Sequence, residues 1–450
     1  MLEVLGSLAR QAALFGEIGY PIAAIVLDFC DRSNSTFVLE DHMINRRSFL
    51  QGSGAVAGLS AMGLSGCTRH VVAPIAPTAA GAPALPFYDA VGPIIPIRAD
   101  MDRIFRITVC TRPFRPAGPR QDVERVGDKV VVHNYGHGGS GWSLSWGSAD
   151  VVVRKVLADG SAQREVAVIG AGALGLTAAL TAQRAGFKVT IYARERAPYV
   201  RSVRATGSWT PDSRIALASA AAPDFPAQWE AMARTSFAMY MSYIGVAGTP
   251  VEWTDRYSLS DGDHHNGHGG EGRDYVDYSE RIADLTPGSH DLPPGTTPFP
   301  TKYVRRSTSL TFNVADYARQ LMTDFLIAGG TIETREFHTP QELTALPQRA
   351  IINCTGYAAR QLWSDESIVP VRGQIAWLIP QDGVTYGLYY NGLNVLARRD
   401  GIVLMLNKAG EDVGWNDSTE VPDRATAEEA VTVLQGLYDR MAKMQPQRSS

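Results

Sequence analysis

The sequence predicts an α/β protein built on a Rossmann-like dinucleotide-binding unit, and three observations predict it. Residues 165–196, EVAVIGAGALGLTAALTAQRAGFKVTIYARER, run as strand, glycine turn, helix, strand and acid. A second glycine cluster, HNYGHGGSGWSLSWG at 133–147, leads into a helical stretch from about Trp142 to Leu157. The 450 residues, 45% hydrophobic and 20% charged, suffice for two or three packed domains of about 150 residues and exclude a disordered chain.

Charge and cysteine usage narrow the function classes. Lys plus Arg is 42 and Asp plus Glu is 46, a net charge of 42 − 46 = −4. A nucleic-acid binder needs a basic face to neutralise phosphates, so none is expected as a partner. The four cysteines, Cys30, Cys67, Cys110 and Cys354, are too few and too scattered for a disulfide framework. No CxxC pair suggests zinc, and no metal is expected.

Residues 43–67, MINRRSFLQGSGAVAGLSAMGLSGC, pair Arg46 and Arg47 ahead of a weakly apolar Gly/Ala stretch ending Leu64-Ser65-Gly66-Cys67. The pattern predicts a twin-arginine export signal with a lipobox and a periplasmic or cell-surface protein. Cys67 is then a lipidated terminus, a membrane anchor rather than a span. A Gly/Ala-rich core helix is the alternative. Met43 suits the start of such a signal, so residues 1–42, with an apolar run from Ile18 to Phe29 too short for a comfortable span, are expected to be an over-extended start. Residues 68–86 are Pro/Ala-rich and nearly uncharged, a semi-rigid spacer.

In the dinucleotide unit, Val166 to Ile169 read as a buried strand. Gly170 permits a tight turn, Gly172 lets backbone approach a pyrophosphate, and Gly175 lets helix and strand pack closely. Ala173 and Leu174 open the helix, whose N-terminus presents unpaired N–H groups to phosphate. Glu195 is placed to accept from a ribose hydroxyl and Arg194 to cover adenine. The motif alone does not separate NAD from FAD.

Successive N–H groups across Gly136, Gly138, Gly139 and Gly141 predict an anion nest at a helix N-terminus. The alternative is a glycine-rich turn, with His133 and His137 as structural hydrogen-bonders. Upstream, prolines stiffen Thr111-Arg112-Pro113-Phe114-Arg115-Pro116, and a rigid guanidinium there suits a substrate carboxylate; a surface arginine pair is the alternative.

RPFRP (112–116) followed by HNYGHGGSGW (133–142) resembles the closing segment of the D-amino acid oxidases. GAGALGL (170–176), IYARER (191–196), RATGSWTP (204–211), INCTG (352–356) and VRGQI (371–375) resemble the opening and middle of that family. The order differs, because the family's closing segments precede its opening ones here. The chain therefore resembles a circular permutation, cut between a helix at 425–441 and a strand near Phe105–Cys110.

The resemblance implies FAD as cofactor and a Rossmann-like FAD domain at 104–215 and 310–365. It implies an α+β substrate domain with an antiparallel sheet at 216–309 and 366–424, followed by a helix and tail to 450. Gly170, Gly172, Gly175, Arg194 and Glu195 would hold the ADP half. Ser202 and the Gly207-Ser208-Trp209-Thr210 turn would lie along the flavin, Phe337 would contact the adenine side, and Gly138, Gly139, Ser140, Gly141, Trp142 and Ser143 would meet the pyrimidine edge. Arg112 would pair with the substrate carboxylate and the Gly139 carbonyl would accept from its amine, with no acid or base required. Of the family's two active-site tyrosines, Tyr390 matches the first, whereas Asn394 stands at the second; Tyr386 or Tyr389 is a possible substitute.

The implied reaction is oxidative deamination of a D-amino acid or related amino acid by hydride transfer to flavin N5. The products are a 2-oxo acid, ammonia and H2O2, with O2 or another acceptor taking the electrons. A same-fold dehydrogenase feeding a quinone, and a non-catalytic flavin-binding surface lipoprotein, are the alternatives. The loop DGDHHNGHGGEGRD at 261–274 is expected to be a polar insertion, with a divalent-metal site as its alternative, and 285–300 an irregular connection.

Overall fold

Two sheets, one mainly parallel and one mainly antiparallel, enclose the cavity between them in a computed structural model that describes residues 91–160, 164–262, 272–408 and 410–444. The expected export signal, Cys67, spacer and over-extended start lie outside the described residues, as do the three histidines of the 261–274 loop.

In chain order the elements begin with β1 (Ile104–Phe114), β2 (Val123–Val126), β3 (Lys129–His133), α1 (Ser145–Asp159), β4 (Glu165–Ile169), α2 (Ala173–Arg184) and β5 (Lys188–Ala193). They continue with α3 (Phe225–Met241), β6 (Val251–Ser260), β7 (His290–Asp291), β8 (Tyr303–Phe312), α4 (Val314–Ile327), β9 (Thr331–Thr334) and β10 (Ala350–Asn353). The last are α5 (Ala359–Leu362), β11 (Val369–Leu378), β12 (Gly387–Tyr390), β13 (Leu393–Arg398), β14 (Gly401–Leu406) and α6 (Arg424–Met444).

The first sheet has the order β2-β3-β10-β4-β5-β9, parallel from β3 onward, with β2 antiparallel at one edge. Its strands alternate in the period of 2 that a sheet covered on both faces requires: Val166 and Val168 enter the core beneath the helices, whereas Ala167 and Ile169 enter the core on the other face. Small residues let the helices approach. A Cβ on Gly147 of α1 would lie 2.1 Å from the Met232 carbonyl of α3, and the Gly147 N–H donates to Ser236 Oγ at 2.8 Å. That bond satisfies one of the N–H groups a helix start leaves unpaired.

The second sheet has the order β1-β11-β14-β13-β12-β6-β8-β7, antiparallel except for the β12–β6 pair. Its outer face packs against α6 through Leu434, Leu437, Tyr438 and Met441. Tyr438 and Tyr386 hydroxyls meet there at 2.6 Å.

Two expected boundaries change. Residues 104–114, assigned from sequence to the FAD domain, pair along β11 and belong to the antiparallel sheet. Helix α3, assigned to the substrate domain, shares the core of the parallel sheet's helices through Trp229, Met232 and Tyr240. Strand pairing and helix docking join residues far apart in sequence, and composition carries no record of them. The helix expected from Trp142 begins at Ser145 instead, after a turn.

Candidate active site

A cavity of about 300 Å³ opens at the C-terminal ends of the parallel strands, reached by Ile169 of β4, Ala193 of β5 and Cys354 just beyond β10. Open α/β sheets bind ligands at this edge.

At the nucleotide half, Gly170, Gly172, Ala173, Leu174, Arg194, Glu195, Ser202 and Phe337 all line the cavity. Gly170 has φ +107°, a left-handed value that favours glycine, and a Cβ there would lie 2.6 Å from the Cys354 carbonyl oxygen. Gly175 lies beneath: a Cβ on it would come within 1.9 Å of the Gly170 oxygen. The first helical N–H, from Ala173, donates to Ser202 Oγ at 3.2 Å. Arg194 bridges Glu336 at 2.8 Å and Glu195 at 3.3 Å, and Arg335 covers the Phe337 ring at 4.8 Å.

At the other half, Arg112 enters the cavity from β1, with Gly138, Gly139, Gly141 and Trp142 on the neighbouring loop. The Arg112 guanidinium donates to the Arg372 carbonyl and the Met405 thioether, both at 3.3 Å, and no carboxylate among the described residues lies within ion-pair distance. It rests on Gly373, where a Cβ would stand 2.5 Å from both terminal nitrogens. Burial, then the nearby Arg214, lowers its pKa to about 10, so it stays cationic at neutral pH. The other arginines of that region are committed. Arg115 bonds Ser367 and pairs with Asp365, and Arg120 pairs with Asp122 and Glu124.

The loop over this half is not a free anion nest. The N–H groups of Gly138, Gly139 and Ser140 donate to the carbonyls of Pro113, Ser213 and His137 at 2.9, 3.1 and 2.9 Å. Closing the loop against β1 and the 210–214 turn takes the Gly138 and Gly139 donors, two of the four that the glycine spacing had suggested were available. The same loop is tied to the flank of the nucleotide half by Trp142 Nε1 donating to the Ser202 carbonyl at 2.7 Å. Ser140, Ser143, Gly207, Ser208 and Trp209 support the cavity without lining it: Ser140 Oγ donates to the Ser213 carbonyl at 2.9 Å, and Ser143 Oγ accepts from the Thr210 N–H at 2.9 Å.

Both histidines are structural hydrogen-bonders. His133 lies between Glu124 and Asn353 at 3.0 Å each. His137 bonds Ser148 Oγ at 2.6 Å, and burial pushes its pKa down to about 3, so it is neutral in the physiological range.

Tyr390 does not reach the cavity. Its side chain packs on the α6 side of the sheet, where the hydroxyl donates to Asp261 at 2.8 Å and accepts from Arg440 at 2.6 Å. Strand parity decides this. Tyr389, Asn394 and Met405 are cross-strand neighbours on the opposite face, the face of Met405's contact with Arg112. Neither Tyr389 nor Asn394 lines the main cavity, and Tyr386 faces α6 like Tyr390.

Sequence reasoning missed Gly373, Met405, Cys110 and Cys354 as neighbours of the site. Cys110 had a signal, since it stands two residues before Arg112 on one strand. The others depend on long-range pairing.

Comparison with known proteins gives the same assignment. Residues 165–449 match the family of FAD dependent oxidoreductases. Residues 43–63 match the twin-arginine translocation pathway signal sequence, so the chain is exported by that route. The chain is 29% identical over 283 residues to a D-amino-acid oxidase of Streptomyces coelicolor, covering 58% of this chain and 74% of that protein. It is 27% identical over 284 residues to a D-amino-acid oxidase of Rubrobacter xylanophilus, covering 61% and 77%. Among solved structures, iminodiacetate oxidase from Chelativorans sp. BNC1 is 18% identical with a TM-score of 0.43, covering 62% of this chain and 79% of that one.

The cavity fits FAD. Backbone can approach a ligand at Gly141, where a Cβ would meet nothing within 4 Å, and at Gly172, where only the Ser202 side chain lies within that distance. The Gly170–Gly175 turn, with its buried close contacts, suits a pyrophosphate at a helix N-terminus. With its matched segment spanning well over half of its length, the chain belongs to the family of FAD-dependent oxidoreductases, beside the D-amino-acid oxidases.

Proposed function

We propose that this protein oxidises the Cα–N bond of a D-amino acid or a related amino acid, converting substrate, O2 and water into 2-oxo acid, ammonia and H2O2. The observation that carries this reading is Arg112, a cationic group in the cavity without a carboxylate partner among the described residues. A substrate carboxylate supplies the missing counter-charge, and a bidentate pair orients the Cα that bears the amine.

Gly170, Gly172, Ala173, Arg194, Glu195, Ser202 and Phe337 would hold the ADP half of FAD, and the Gly138–Trp142 loop its ring system. When bound, FAD supplies the two-electron acceptor. The Gly139 carbonyl is assigned to the substrate amine. With His137 neutral and bonded to Ser148, the chain offers no imidazolium at this wall, and orientation and water exclusion are its contribution.

We read the chain order as a circular permutation. The family match begins at Glu165, the first residue of β4, yet the preceding β2 and β3 belong to the same parallel sheet, and Arg112, Gly138, Gly139 and Trp142 line the same cavity. Cys67 is proposed as a lipid attachment site that holds the exported enzyme at a membrane.

Anaerobic addition of D-amino acids, glycine and N-methyl amino acids to the purified holoprotein tests the reading. Loss of the visible flavin absorbance with at least one of them, followed by oxygen uptake and peroxide on admitting air, is the expected result. Bleaching without oxygen uptake would assign a dehydrogenase, and flavin that stays oxidised throughout would leave a binding protein.

Gly373→Ala tests the seat of the arginine. Its methyl would occupy the place of the Arg112 guanidinium. Steady-state kinetics should show KM for the amino acid rising about tenfold or more, equivalent to ~1.4 kcal/mol or more, with flavin content unchanged.

A further inference from the structure

We infer that Glu420 is a positioning residue for the cofactor. It ties the chain between β14 and α6 to two arginines that wall the cavity, and so fixes the turn that flanks the nucleotide half. The inference rests on FAD occupying the cavity and not on the identity of the substrate.

Arg201 and Arg204 begin and end a single helical turn, and both line the cavity. Glu420 holds the pair. Its carboxylate accepts from Arg201 Nε at 2.6 Å and lies 3.6 Å from Arg204 Nη1. The Thr111 hydroxyl of β1 donates to the same carboxylate at 3.4 Å, and Arg204 Nη1 donates to the Val109 carbonyl at 3.2 Å. One carboxylate thus draws the 201–204 turn against β1, the edge strand of the antiparallel sheet.

The main chain that carries Glu420 is anchored on both sides. Trp415 bridges Val371 of β11. The Arg372 guanidinium donates to the carbonyls of Thr419 and Val421 at 3.0 and 2.8 Å, the two residues that flank Glu420. The Gln374 side chain donates to the Asp423 carbonyl at 2.6 Å and accepts from the Asp423 N–H at 2.7 Å. Glu420 therefore reaches toward the nucleotide half from a backbone fixed to the other sheet.

Beyond the tie, the turn meets both elements assigned to FAD. Ser202 Oγ accepts from the Ala173 N–H at the start of α2, and the Ser202 carbonyl accepts from Trp142 Nε1. Releasing Arg201 loosens its neighbour Ser202, and with it the geometry of the helix start suited to a pyrophosphate. Charge agrees with this role. Two guanidiniums share one carboxylate, which leaves a surplus positive charge on a wall that would face a diphosphate. All three side chains are about one-third exposed, at 33–35%. Pairs so exposed contribute little to global stability and are screened by salt. The effect is therefore expected on cofactor retention rather than on the fold.

Flavin release tests the tie. The holoprotein is diluted into buffer of about 50 mM salt, and the rise of flavin fluorescence gives the dissociation rate. Glu420→Gln keeps the shape and removes the charge; it should release FAD about tenfold faster than the parent, with Kd rising by a similar factor. The melting temperature of the apoprotein should stay within about 1 °C of the parent. At about 1 M salt, where the Debye length falls to about 3 Å, the two release rates should agree within about twofold. Arg201→Gln should release FAD at least as fast as Glu420→Gln, and the double variant no more than about twofold faster than Arg201→Gln, because both changes cut one tie. Equal release rates at low salt overturn the inference, as does a difference that persists undiminished at high salt, which marks lost packing. Slower release from Glu420→Gln also overturns it, since Glu420 would then be competing with the diphosphate for Arg201. No substrate enters the measurement. A protein that oxidises no amino acid can still satisfy it, and one that oxidises amino acids with unchanged release keeps the reaction and loses the tie.

Discussion

Arg112→Leu should raise KM for the amino acid by about two orders of magnitude or more and lower kcat as well. Leucine keeps the apolar stem and removes the cation, so a bound substrate carboxylate would be buried beside Met405 and Gly373 without a counter-charge. Removing one partner of a buried charge pair costs about 2–5 kcal/mol, roughly thirtyfold to several-thousandfold. The loss in kcat follows from orientation, because a substrate no longer pinned at its carboxylate presents its Cα in many poses. No other arginine of that stretch can substitute. Arg115 is held by Ser367 and Asp365, and Arg120 by Asp122, Glu124 and the Tyr135 hydroxyl. Flavin content should be unaffected, which separates this variant from one that damages the cofactor site. Initial rates across a wide range of amino acid concentration check it, and a KM within threefold of the parent would remove Arg112 from the role proposed for it.

Gly175→Ala should yield a protein purified with less than a tenth of the parent's flavin. The added methyl would lie 1.9 Å from the Gly170 carbonyl oxygen. The obstacle is backbone rather than a flexible side chain, so the turn itself must open. Gly170 has little freedom to yield, with φ at +107° and the Cys354 carbonyl closing its other side. Overpacking of this kind costs about 1–3 kcal/mol in stability. The larger effect is on the ligand, because opening the turn tilts the first N–H groups of α2 away from the pyrophosphate they would meet. Visible absorbance per protein, before and after incubation with added FAD, measures it. Full flavin occupancy in the variant would show that the turn tolerates a side chain and that the phosphates are held elsewhere.

Local chemistry was legible in advance. The β4–α2–β5 unit could be read residue by residue because each step depends on neighbours within a few positions. Val166–Ile169 alternate between two cores, Gly170 takes a backbone angle that side chains avoid, and Gly175 permits one close approach. Arg112 could be picked out because flanking residues stiffen it. The nest expected across Gly136, Gly138, Gly139 and Gly141 loses two of its donors for the same local reason. Glycine spacing shows that N–H groups can converge, but the carbonyls of Pro113 and Ser213 that absorb two of them come from other parts of the chain.

By itself, then, the sequence determined an α/β protein with a dinucleotide turn, a twin-arginine signal and membership in the FAD-dependent oxidoreductases. Tertiary structure alone decided that β1 lies along β11 and brings Arg112 over Gly373, and that Tyr390 turns toward α6. The division has one physical cause. Turns, helix starts and strand periodicity follow from dihedral preferences within a few residues, whereas sheet register is a choice among distant partners, and a slip of one residue sends every side chain on a strand to the opposite face.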